Sequence, residues 1–113
     1  MNDSGMNEGA LNLLGLCARA RRLVTGEKAV VQAIRAGDCA LAILDADTAK
    51  NGEKAVRQAC QTHGVTLLIA PPGTLGRAIG KPGRMAAAIT DTGFAGKILQ
   101  LCQPAGGRMS PEA

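Results

Sequence analysis

Lys28 lies in the stretch Thr25-Gly26-Glu27-Lys28-Ala29-Val30, closely preceded by Arg19-Ala20-Arg21-Arg22. The periodicity predicts that this stretch opens a short helix ending at Gly37. A helix N-terminus carries unpaired N–H groups and a partial positive charge. A glycine there lets a bulky anion reach the backbone. Three arginines and a lysine beside such an end make an anion site. At this density the natural anion is the phosphate chain of a polynucleotide. A solvated basic face on a surface helix is the plainer reading of any one charge cluster, so the other residues must decide.

Few of them could do covalent chemistry. His63 precedes the helix-ending Gly64, where a capping role is expected rather than catalysis. Two serines and four cysteines, none with a histidine placed beside it, give no nucleophile–base pair. Asp45 and Asp47 follow a predicted strand, a place where ligands bind in α/β sheets, but a strand-ending turn explains them equally well. Gly76-Arg77-Ala78-Ile79-Gly80-Lys81-Pro82 superficially suggests a phosphate-binding loop. That pattern needs four residues between its glycines and a hydroxyl after the lysine to hold magnesium. Here there are three, followed by Pro82, so ATP or GTP binding is rejected and Gly80 reads as a helix stop. No cofactor, metal or small-molecule substrate is expected.

Composition narrows the partner. The 113 residues suit one domain with a modest core. There is no Trp or Tyr and a single Phe, Phe94, so modules that stack bases on aromatic rings are nearly excluded. Residues 11–37 hold five basic residues and one acid, and residues 71–90 hold Arg77, Lys81 and Arg84 with no acid. Those blocks carry a net +7, leaving −3 for the remainder of a chain whose total is +4. Cationic blocks on an otherwise acidic chain imply an anionic partner. The four cysteines, at 17, 39, 60 and 102, show no C-x-x-C pairing. Cys39 and Cys60 read as small core hydrophobes, and the reducing cytoplasm is the expected compartment. The polar N-terminus is no signal peptide, and no apolar run approaches the roughly 20 residues that span a bilayer, so no membrane association is expected.

The elements that must position these residues follow from periodicity and caps. Helices are predicted over residues 7–21, 26–36 with Thr25 as cap, 51–62, 74–79 with Thr74 as cap, and from Asp91 onward with Phe94, Ile98 and Leu101 on one face. Apolar runs over 40–44, 65–70 and 85–89 predict buried strands. Together they predict an α/β/α sandwich with a mostly parallel sheet. Residues 1–6 and 104–113 read as disordered tails flanking one domain over residues 7–103. The basic blocks precede the first and last strands, which allows them to converge at one end of the sheet.

Leu14-Gly15-Leu16, the arginine-rich turn, Leu23-Val24-Thr25-Gly26-Glu27 and Ala33-Ile34-Arg35-Ala36-Gly37 resemble the bacterial YlxQ-type proteins. So does Leu75-Gly76-Arg77-Ala78-Ile79-Gly80 followed by Ala86-Ala87-Ala88-Ile89. Those proteins belong to the wider kink-turn-binding ribosomal protein family, with relatives in the archaeal and eukaryotic large subunit. The resemblance covers roughly residues 10 to 102. It implies a three-layer α/β/α sandwich with a four-stranded mixed sheet. It also implies that the second helix inserts its N-terminus into an RNA major groove widened by a sharp bend beside sheared G·A pairs. Many relatives begin that helix Gly-Thr-Asn-Glu, where this chain has Gly26-Glu27-Lys28-Ala29. Lys28 then takes the place of a base-reading Asn, and lysine can donate to guanine O6 and N7. The loop over 81–85 matches the loop that meets an extruded nucleotide, which assigns Arg84 to phosphate or base and Met85 to packing against a base.

The expected protein is a cytoplasmic, non-enzymatic RNA-binding domain for ribosomal or kink-turn RNA, with the ribosome a candidate partner. Gly26, Glu27 and Lys28 present the helix end. Arg21, Arg22 and Arg35 hold phosphates, and Arg77, Lys81 and Arg84 close the other side. The alternatives are a protein-interaction module of the ribosome or transcription machinery, whose basic blocks meet acidic proteins, and, least favoured, a small-molecule enzyme.

Overall fold

The computed structural model describes residues 6–102; the expected tails, apart from Met6, lie outside that range. Nine elements follow in order: α1 Glu8–Arg19, β1 Leu23–Thr25, α2 Glu27–Arg35, β2 Leu41–Asp45, α3 Lys50–His63, β3 Leu67–Ala70, α4 Thr74–Ala78, β4 Ala86–Ile89 and α5 Thr92–Leu101. The strands form one sheet in the order β1-β4-β2-β3. Strand alternation sorts the core into two layers. Leu41, Ile43, Ala87 and Ile89 pack with α1, α4 and α5, whereas Ala42, Leu44, Ala86 and Ala88 pack with α2 and α3. This is the expected three-layer sandwich with a four-stranded mixed sheet. Met6, expected in the leading tail, is buried in the first of these layers, and its N–H donates to the Ile69 carbonyl.

Sheet direction departs from the sequence expectation. Only one neighbouring pair, β2 with β3, is parallel; β4 runs antiparallel to both β1 and β2, which point the same way. The cause is the connection. The fourteen residues of α3 carry the chain back along the sheet, so β3 enters in the direction of β2. The five residues of α4 span only about 7.5 Å. The chain therefore stays at the end where β3 left the sheet, and β4 must run the other way.

That same end is where the site forms. Thr25 pairs with Ala87, and Leu44 with Ala86, so the ends of β1 and β2 and the start of β4 lie together. Asp45 anchors the arrangement. It is the buried polar residue of the described chain, and its carboxylate accepts from the backbone N–H groups of Asp47, Gly73 and Leu75 at 2.8, 2.9 and 3.1 Å. It thereby ties the turn after β2 to the start of α4. The strand-ending turn that the sequence offered for Asp45, beside a ligand position, is present, and the carboxylate also reaches the start of α4, which spacing could not show.

Candidate nucleic-acid interface

Gly26 joins β1 to α2 with φ +94° and ψ 144°, a conformation closed to side-chain-bearing residues at ordinary cost. The Arg84 side chain reaches the same point. A Cβ there would stand 3.3 Å from the Arg84 guanidinium. Gly26, not the expected Thr25, is the N-cap, since Thr25 is the last residue of β1. The Gly26 N–H is held by the Ala86 carbonyl at 3.0 Å. No side chain caps α2, so its first-turn N–H groups face outward beside exposed Lys28.

Arg84 reaches this point because of the glycines that imitate a nucleotide-binding loop. A Cβ on Gly76 would come within 2.8 Å of the Lys81 carbonyl oxygen and 3.1 Å of the Gly83 nitrogen. Its absence lets the loop over 80–84 lie directly on α4. Lys81 N–H donates to the Gly76 carbonyl at 2.8 Å, and Arg84 N–H to the Lys81 carbonyl at 3.1 Å. Pro82 followed by Gly83 at φ +91° makes a tight turn of the type that needs glycine in its third position. Gly80, at φ +74°, stops α4 as expected. Beyond the turn, the Met85 carbonyl accepts from the Asp45 N–H at 2.9 Å and the Thr48 hydroxyl at 3.2 Å. The loop after β2 thus fixes Met85 in place.

Between these parts lies an open cleft of about 380 Å³, lined by Gly26, Glu27, Asn51, Gly52, Arg84 and Met85 among others. Glu27 does not point its charge freely into it. Its carboxylate lies against the first turn of α3, where a Cβ on Gly52 would be 3.0 Å from Oε1. Since α3 has no side-chain cap, its N-terminal dipole favours the carboxylate there. Thr48, Asn51 and Gly52 escaped sequence reasoning. A glycine in the first turn of a helix was the available signal, because an interior glycine costs stability unless something needs the space.

The other predicted residues are spread wider. Arg21 and Lys81 line a second cleft of about 610 Å³ beside β1, together with Arg19, which the sequence reading counted in the arginine cluster but gave no contact of its own. Arg77 lines a groove between α1 and α4 that Arg19 also borders. Arg22 stands at the opposite end of β1 from Gly26, 3.8 Å from the Asp91 carboxylate. Arg35 is the last residue of α2, about 12 Å along the helix from Glu27. The two basic blocks do meet, through Gly26 with Arg84 and through Arg21 with Lys81, but Arg22, Arg35 and Arg77 are not part of that meeting.

His63 ends α3 exposed to solvent, and the Gly64 N–H caps the helix by donating to the Cys60 carbonyl; among the described residues the histidine side chain makes no hydrogen bond. Burial pushes the thiols of Cys17 and Cys39 up to about 11, so at neutral pH they are protonated and poor nucleophiles. Among the described residues no group of three or more His, Cys, Asp or Glu is placed to hold a metal ion. Also among those residues, no helix is long and apolar enough to cross a membrane.

The fold is shared with known proteins. Residues 10–99 match the ribosomal protein L7Ae/L30e/S12e/Gadd45 family. The chain is 40% identical over 90 residues to the RNA-binding protein YlxQ of Bacillus subtilis (strain 168), covering 79% of this chain and 90% of that one. A protein of unknown function from Bacillus halodurans C superposes with a TM-score of 0.80 at 37% identity, covering 85% of this chain and 98% of that one. The 15.5kD RNA binding protein of Giardia lamblia superposes with a TM-score of 0.69 at 25% identity, covering 85% and 89%.

Proposed function

This chain belongs to the ribosomal protein L7Ae/L30e/S12e/Gadd45 family, and from that premise we propose that it is a cytoplasmic, non-enzymatic protein that binds structured RNA, of kink-turn or ribosomal type, at the N-terminus of α2. The observation that carries the reading is the meeting of Gly26 and Arg84, where a Cβ on the one would stand 3.3 Å from the guanidinium of the other. An uncapped helix end, a bare backbone and an arginine from a distant part of the chain there face one opening. The names of the Bacillus subtilis and Giardia lamblia relatives support an RNA partner.

Each residue then has a task. The first-turn N–H groups of α2 and the Lys28 ammonium enter the groove, the ammonium donating to guanine O6 and N7. An ordinary RNA duplex has a major groove too deep and narrow for this. A bend that opens the groove is therefore the geometry the helix end fits. A nucleotide turned out by such a bend enters the cleft of about 380 Å³. Met85 packs against its base there, and Arg84 meets its phosphate or stacks on the ring. Arg21 and Lys81 neutralise phosphates beside the helix end. Arg22, Arg35 and Arg77 serve more distant ones.

Purification gives the first test. Without Trp or Tyr the chain absorbs little at 280 nm, so bound RNA raises the A260/A280 ratio sharply. Crosslinking and sequencing of the bound strands should return bent, G·A-containing elements or ribosomal RNA. Protein free of nucleic acid that crosslinks to other proteins instead would favour the interaction-module alternative.

A further inference from the structure

Arg21 is the one non-glycine residue among those described that holds a positive φ, at +60°. The turn that requires it is a helix C-terminus. Arg22 N–H donates to the Cys17 carbonyl and Arg21 N–H to the Ala18 carbonyl, both at 3.0 Å. This is the double bond of a Schellman ending, whose left-handed residue is usually glycine. The chain follows that rule elsewhere, with Gly37 after α2 at φ +79° and Gly80 after α4 at φ +74°. At the end of α1 it places an arginine where its own fold favours glycine. Strain of this kind persists where the side chain has a use.

The surroundings show what use. Exposed Arg21 lines the cleft of about 610 Å³ beside β1 with Arg19 and Lys81, and no acid lines it. The described ion pairs are Arg22 with Asp91 and Arg57 with Glu53, so none of these three cations is neutralised among the described residues. β1 is an edge strand that pairs only with β4. The bonds from Gly26 N–H to Ala86 and from Thr90 N–H to Arg22 set the alternation, which turns the N–H groups of Leu23 and Thr25 to the open edge. The carbonyls of the same two residues face that edge as well, so the edge itself is neutral; the three cations, unpaired among the described residues and with no acid in the lining, are what suit a phosphodiester backbone. The cleft follows β1 for about 10 Å as far as Thr25, the residue before the Gly26 that lines the cleft at the α2 end.

We propose that this cleft is a second RNA-binding surface, which takes the phosphate backbone of one helical arm leaving the bend. It rests on the reading of the α2 end as the site of the bend. Over such a length an arm presents on the order of three phosphates per strand. The cleft reads no sequence; it demands an arm of sufficient length on one side of the bend.

The test compares the wild type, Arg21→Gly and the triple variant Arg19→Ala, Arg21→Gly, Lys81→Ala by fluorescence anisotropy over a salt series. The probes are a kink-turn RNA with full arms, the same RNA shortened in each arm in turn, and a straight duplex. Arg21→Gly should keep or raise the melting temperature while weakening the full-arm RNA and lowering the log–log salt slope by about 1. The triple variant should lower it by about 3, keep its preference for bent over straight RNA, and match the wild type on one of the two shortened RNAs. Wild-type affinity in the triple variant, or an equal loss on both shortened RNAs, overturns the proposal. If the wild type binds bent and straight RNA alike while the variants still flatten the slope, the α2 reading fails and the cleft stands.

Discussion

Asp45 is the residue on which the site end of the sheet depends most. Its two oxygens accept three backbone N–H groups, from the turn after β2 and from the start of α4. Asp45→Ala would bury those donors unpaired and should cost at least about 2 kcal/mol. Asp45→Asn keeps one acceptor but turns an amide donor toward a backbone N–H, so chemical denaturation should rank it between wild type and Ala. The thiols give a second expectation at this scale. Burial, aided at Cys17 by the Asp91 charge, raises Cys17 and Cys39 from 9.0 to about 11, and burial raises Cys60 and Cys102 in the same direction. Because folding raises these values, the unfolded chain loses its protons first. Stability is complete below pH 9, falls as pH rises from there, and stops falling through Cys17 and Cys39 once they titrate in the folded state near 11. Melts across this window should show the fall, and Cys17→Ala with Cys39→Ala should flatten it.

Among the elements, α2 carries the departure that matters most to the proposed contact. Its first turn holds Glu27, whose carboxylate leans on the uncapped start of α3 over Gly52. That charge helps two helix ends and opposes an approaching phosphate. Glu27→Thr combined with Ala29→Glu should tighten binding to a kink-turn RNA while melting shows a cost of only about 0.3–1 kcal/mol. Unchanged or weaker affinity in a folded double variant would place the contact elsewhere. The helices were legible because their stops are written in glycine: Gly37, Gly64 and Gly80 all hold left-handed backbone. Asp91 was legible as a cap and accepts from Gly93 and Phe94 as expected. β1 was not, because three residues give no periodicity and Thr25 imitates a helix cap. Leu101, expected inward, is 41% exposed, and Ala95 with Cys102 fills that layer instead. Strand direction was illegible for a different reason. Buried apolar runs look alike either way round, and only the reach of α4 decides.

For the whole molecule, the sequence located the cationic blocks but not which of their members meet. Lys28, Arg84 and Met85 could be named before the fold was seen, whereas Asn51 and Gly52 are brought to the cleft at the α2 end by packing alone. If roughly four to six phosphates are neutralised, affinity for structured RNA should fall with a log–log salt slope on the order of −3 to −5. A slope near zero would sink the electrostatic account as a whole. The central claim is narrower: the α2 end reads a bent RNA rather than any polyanion. The direct measurement is the affinity of wild type and Lys28→Ala for a kink-turn RNA and for a straight duplex of the same composition, at one salt concentration. The account predicts that the wild type prefers the bent RNA and that Lys28→Ala loses about 1–3 kcal/mol on it and far less on the duplex. Equal wild-type affinity for the two RNAs, or an equal loss on both, would contradict it.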